Sequence, residues 1–165
     1  MAGALAKLGH RLFSDDVVPV SLNNGLPIAL PGYPFLKLGK DSGTKLGYEV
    51  GTTAEILPED ARWQIAVQGV DRDVPLPLAR LYVLAEGERP EIELLNPQES
   101  AVELIRHSYA SPCLGVPALS AFHLQSCAAL VNRVPMYRLR RPRRLELLQD
   151  VVELLQRDFQ TVGNQ

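Results

Sequence analysis

The hydrophobic pattern changes period at Asn96, and that change limits the folds open to this chain. Up to Leu95 the apolar residues come in short runs broken by Pro, Gly, Asn and Asp, the pattern of strands and turns. From Asn96 onward they recur three and four residues apart, the pattern of helices. Asn96 is placed as an N-cap, with Pro97 at the first helical position and Glu99 at the third. Ala101, Val102, Leu104 and Ile105 supply the apolar face of that helix. A second helix is predicted from Pro117 to Asn132, and VPMYRL reads as a short strand. Pro142 opens a last helix, in which Leu145, Leu148, Val152, Leu155 and Phe159 form one core-facing stripe.

The first part reads differently. MAGALAKLG looks like two helical turns ended by Gly9 in a left-handed conformation, with no capping side chain at Met1. HRLFSDDVVPVSL is a β-rich run; Asn23-Asn24-Gly25 is a turn signal, and LPIAL returns as the second strand of a hairpin. PGYPFLKLGKDSGTKLG carries five Pro and Gly residues before its last glycine and predicts mainly loop, with room for a short helix. Arg62 to Val70, Pro77 to Ala85 and Glu91 to Leu95 read as strands. The expected fold is mixed α/β: a mixed sheet with hairpins and helices mainly C-terminal. One domain is expected over residues 1–160, with 161–165 as a tail.

Composition excludes several function classes. With 165 residues, 46% hydrophobic, the chain is long enough for a real core and too apolar for disorder. Seventeen Lys and Arg against 19 Asp and Glu give a net charge of −2, which argues against nucleic acid as a partner. No apolar run approaches the roughly 20 residues of a membrane span, and no signal peptide is visible. A soluble, cytoplasmic protein without a membrane partner is the expectation. Cys113 and Cys127 form no metal motif, and Cys127 reads as a small buried hydrophobe. His10, His107 and His123 have no metal-ligand spacing, although His10 precedes the Asp pair closely enough to support it. Trp63 reads as a core residue of its strand. Six arginines between Arg133 and Arg144 form a run whose default is an ion-paired, solvated face, with Arg138 and Arg140 on one side of a strand.

The strongest chemical signal is Asp15-Asp16. In an extended segment the two side chains point to opposite faces. One can then hold a metal ion while the other approaches a substrate hydroxyl, the two tasks that phosphoryl transfer requires. A solvated turn or a helix cap is the bland alternative.

AGALAKLGHRLFSDDVVPVSL followed by LPIALPGYPFLKLG resembles the HPr kinase/phosphorylase-like serine kinases, P-loop proteins of the phosphoenolpyruvate-carboxykinase type. VPLPLARLYVL and VPMYRLRRP resemble the branch of that family found beside peptide-modification genes. The resemblance runs from Ala2 to about Leu155. It implies ATP-dependent phosphoryl transfer to a serine of a protein or peptide, with Mg²⁺ and ATP as cofactors. Asp15 would be the general base, Asp16 the carboxylate at the metal, and Tyr33, Lys37 and Arg80 substrate- or phosphate-facing groups. The phosphate loop G-x-x-x-x-G-K-[ST] is missing, however. GKDSGTKLG imitates its composition without its spacing, and no apolar strand is expected before it. Binding of Mg·ATP is therefore expected to be weak or absent. Three readings stay open: truncation upstream of Met1, a degenerate relative, or a missing strand supplied by another chain. An open sheet edge would also invite homo-oligomers or a partner chain. A non-catalytic interaction or scaffold module of a peptide-modification pathway is the alternative function.

Overall fold

The computed structural model describes residues 1–22, 26–32, 35–48, 62–67, 74–109 and 115–161. In chain order these form α1 (Ala2–Lys7), β1 (Val20–Ser21), β2 (Ile28–Ala29), β3 (Phe35–Gly39) and α2 (Lys40–Lys45). There follow β4 (Arg62–Ala66), β5 (Leu76–Pro77), β6 (Leu81–Glu86), β7 (Glu91–Leu94), α3 (Pro97–Arg106), α4 (Pro117–Val131) and β8 (Met136–Arg141). A 3₁₀ turn, Leu145–Leu147, leads into α5 (Leu148–Gln160). The fold is mixed α/β, with the longest helices towards the C-terminus as expected. The strands divide among three small sheets, ordered β1-β2-β5, β3-β4 and β6-β8-β7. No helix of the described residues is long and apolar enough to cross a membrane.

The chain packs as two compact units. One comprises Met1–Pro19, Leu30–Pro75 and Arg144–Thr161. At its core Leu12, Leu36 and Ile65 are buried, with Ala2, Ala6, Leu38, Tyr48 and Val67 packed around them. The β3-β4 ladder is antiparallel and sets Leu36 opposite Ile65 and Lys37 opposite Gln64. α1 ends as its sequence dictates, with Gly9 at φ 89°. Lys7 Nζ donates to Gly47 O at 2.7 Å and lies 4.3 Å from the Tyr48 ring centroid, while Tyr48 Oη donates to Gly3 O at 2.7 Å. The apolar stripe of α5 does face inward: Val152 and Leu155 are buried, with Val151 beside them, whereas Leu145 is exposed.

The second unit spans Val20–Ala29 and Leu76–Arg143, with the final four residues, which are outside the description. β1 pairs antiparallel with β2, so the expected hairpin forms, and β2 pairs with β5. β8 lies in the centre of its sheet, parallel to β6 and antiparallel to β7. The link from β6 to β7 therefore has to pass over the end of β8. Gly87 makes that crossing: its N–H donates to Arg141 O at 3.1 Å, and a Cβ there would stand 2.9 Å from Arg140 Cβ. α3 opens with the predicted capping box, Asn96 accepting from the Glu99 N–H and Glu99 accepting from the Asn96 N–H.

Several expectations need correction. Pro77 to Ala85 is not one strand: it divides between β5 and β6, with 78–80 outside both. The last helix opens at Leu148 after the 3₁₀ turn, not at Pro142. HRLFSDDVVPVSL is not a strand through its length; only Val20–Ser21 pairs, and the Asp pair sits in bends. PGYPFLKLGKDSGTKLG is not mainly loop: Phe35–Gly39 is a five-residue strand and Lys40–Lys45 a helix. The alternation in FLKLG buries Leu36 completely, and that burial overrides the Pro and Gly around it. Tyr33, Cys113, the Asn23-Asn24-Gly25 turn and the Trp63 side chain lie outside the described residues.

Candidate functional site

Ser14 begins the construction. Its hydroxyl donates to Val17 O at 2.8 Å, closing a local turn over the two aspartates. That turn rests against Gly32, where a Cβ would stand 2.7 Å from Ser14 Cβ and 3.0 Å from Val17 O. Only glycine lets the two segments approach so closely. The turn delivers both carboxylates to β3. Asp15 Oδ2 accepts from the Lys37 backbone N–H at 2.7 Å, and Asp16 Oδ2 accepts from Lys37 Nζ at 2.7 Å.

The structure thus brings Asp15, Asp16 and Lys37 together from segments 21 and 22 residues apart. It does so in a way the extended-strand picture did not anticipate. The aspartates do not project to opposite faces; both converge on one residue, which supplies a main-chain donor to one and an ammonium to the other. The cation removes the repulsion between neighbouring carboxylates. Side-chain exposures of 42% for Lys37 and 59% for Asp16 place the ion pair in water. Ser14 and Gly32 were not among the expected site residues, and the only signal for them was the Ser preceding the Asp pair and a Gly among prolines.

Arg80 belongs to the second unit, with its guanidinium 5.2 Å from the Tyr137 ring centroid. Tyr137 in turn stacks on Tyr82 at 5.6 Å. His10 does not turn to the aspartates: it meets Gln156 Nε2 at 3.3 Å and the edge of Phe159. Of the six arginines in the run, Arg138, Arg140 and Arg143 are ion-paired, and Arg133 donates to Ala129 O instead. Arg138 faces Glu93, Glu99 and Glu103 at 3.4, 3.9 and 3.6 Å, Arg140 faces Glu93, and Arg143 faces Glu86. Cys127 is buried, and burial pushes its thiol pKa up, away from the reactive thiolate.

Whether these residues fit Mg²⁺ and ATP is decided by their donor set. Asp16 already meets a cation in Lys37, and the described residues contain no group of three His, Cys, Asp or Glu able to hold a metal ion. An apolar strand does precede GKDSGTKLG, contrary to expectation. Yet Gly39 is both the last residue of β3 and the N-cap of α2, so strand passes into helix with no loop between. A phosphate loop needs that intervening stretch of backbone N–H groups.

Comparison of the chain with protein-family models, with curated proteins and with solved structures finds no match in any of the three.

Proposed function

We propose that this chain is an HPr-serine-kinase-like protein, acting in ATP-dependent phosphoryl transfer to a serine of a protein or peptide. The observation that carries the reading is the convergence of Asp15, Asp16 and Lys37. Asp15 is held through Oδ2 by a main-chain N–H, while Oδ1 accepts no hydrogen bond from the described residues. A carboxylate oxygen fixed in direction and open to an incoming hydroxyl is what a general base requires. Lys37 holds its positive charge against the neighbouring Asp16, suited to a transferred phosphate once it leaves that carboxylate. The described residues supply acid–base and charge functions and no nucleotide grip, so the chain alone binds Mg·ATP weakly.

A non-catalytic interaction module of a peptide-modification pathway is the second reading. It is favoured by the same contacts taken as structural: Lys37 holds both aspartates in place through its main chain and its ammonium, a task without chemistry. Asp15→Asn separates the two, because Asn keeps an acceptor for the Lys37 N–H and loses the basicity. Phosphoserine in peptides and proteins is measured by mass spectrometry in cells producing either chain at equal level. Loss of a phosphoserine product by about a hundredfold supports the kinase reading. An unchanged phosphoserine content with an intact pathway supports the interaction module.

A further inference from the structure

Among the described residues β7 is an edge strand of its sheet, and the chemistry of its outer side selects a partner. β7 bonds to β8 on one side, and Leu95 N donates to Met136 O at 2.9 Å just beyond the ladder. In an antiparallel pair the bonding alternates residue by residue. Glu91 and Glu93 therefore turn their main-chain groups towards β8, in register with Arg140 and Arg138. Ile92 and Leu94 turn theirs outward, and these N–H and C=O groups have no partner among the described residues. Leu94 is 63% exposed, a large apolar side chain presented beside open backbone groups.

The side chains at this edge sort by face. On one face stand Glu91 and Glu93, with Glu99 and Glu103 of α3 close by through their shared contacts with Arg138. Glu93, Glu99 and Glu103 meet the guanidinium groups of Arg138 and Arg140 there, Glu103 also meets Arg106, and Arg138 is mostly buried while Glu91 is exposed with no ion pair among the described residues. At the exposed rim Glu91 is the carboxylate that no cation matches among the described residues. On the other face stand Ile92 and Leu94. β8 already shows what such a strand accepts: its Tyr137-Arg138-Leu139-Arg140 sets arginines opposite the glutamates and apolar side chains opposite Leu94 and Ile92.

We propose that the outer edge of β7 docks an extended peptide segment in which basic and apolar residues alternate. Its main chain bonds to Ile92 and Leu94, its basic side chains meet Glu91 and Glu93, and its apolar ones cover Leu94. A second copy of β7 does not fit. Twofold antiparallel pairing through Ile92 and Leu94 sets Glu93 directly opposite Glu93, and like charges so placed repel. This docking edge stands independently of the phosphoryl-transfer reading, since peptide binding and turnover are measured separately.

The experiment titrates the full chain with two fluorescein-labelled heptapeptides, VRVRVRV and VEVEVEV, by fluorescence anisotropy. Saturable binding of the arginine peptide, about tenfold or more tighter than the glutamate peptide, is expected. Leu94→Pro removes one outward N–H without touching the β8 ladder, and Glu91→Lys reverses the rim charge at an exposed position. Each is expected to weaken the arginine peptide about fivefold or more. Hydrogen exchange at the Ile92 and Leu94 amides is expected to slow on peptide addition. Equal affinity for the two peptides, absence of saturation, or unchanged binding by Glu91→Lys overturns the proposal. Should Leu94→Pro fail to fold, Glu91→Lys and the amide protection decide it.

Discussion

Asp15 and Asp16 each make one contact of 2.7 Å with Lys37, yet removing them should cost different amounts. Asp15 accepts from a main-chain N–H held rigidly in β3, so little side-chain freedom is lost in making the bond. A hydrogen bond to a charged acceptor contributes about 1.5–3 kcal/mol, and partial exposure of Asp15 lowers this to about 1–2 kcal/mol. The Asp16 contact is an ion pair with partners 59% and 42% exposed, which places it at about 0.2–1 kcal/mol. Asp15→Ala should therefore destabilise the first unit more than Asp16→Ala by about 1 kcal/mol. Urea unfolding followed by fluorescence reads this directly, because Trp63, the single tryptophan, lies on β4 in register with Leu38 of β3. Repeating it in about 0.5 M salt should abolish the Asp16 effect and spare most of the Asp15 effect. An Asp16→Ala loss equal to or larger than that of Asp15→Ala, and insensitive to salt, would refute the reasoning.

Leu36 is 0% exposed between β4 and α1, so Leu36→Ala should cost about 2–5 kcal/mol by urea unfolding. Gly87→Ala drives a methyl group against Arg140 Cβ, and a loss of about 1–3 kcal/mol is expected in calorimetric unfolding. Burial raises the Tyr48 pKa, so the stability it lends is complete below its ordinary value of 10.0 and is lost as pH rises through the raised one. Tyr48→Phe should flatten that alkaline loss while costing about 0.5–1.5 kcal/mol at neutral pH, with Lys7→Met as the control for lysine titration. Glu146 is held below the usual carboxylate range by its own backbone N–H and then by Lys45. Its contribution is present at neutral pH and is lost as pH falls through the lowered value, a step that Glu146→Gln should remove from the acid-unfolding curve.

Local chemistry was legible wherever one residue type forces one geometry. Asn96-Pro97-x-Glu99 specified its helix start to the residue, and Gly9 specified the end of α1. The α5 stripe was legible because a periodic apolar face has few alternatives. β3 was not, because the prolines and glycines around FLKLG signal a loop while the pairing that makes it a strand comes from β4, far along the chain. Of the candidate site, the aspartates and Lys37 were each legible as charged residues in suggestive segments. Their convergence was not, since it depends on a turn seated against Gly32, a tertiary contact without a local pattern. The central place of β8 was equally hidden, because register between distant strands leaves no trace in either one alone.

That central place has a consequence for biosynthesis. β6 and β7 emerge from the ribosome almost together, yet they must be kept one strand apart until a third arrives through two intervening helices. Neither can zip onto the other without filling the slot that β8 needs. Nascent chains halted before Met136 would thus present two unsatisfied ribbons at once, a vulnerable interval that closes only when Met136–Arg141 is made.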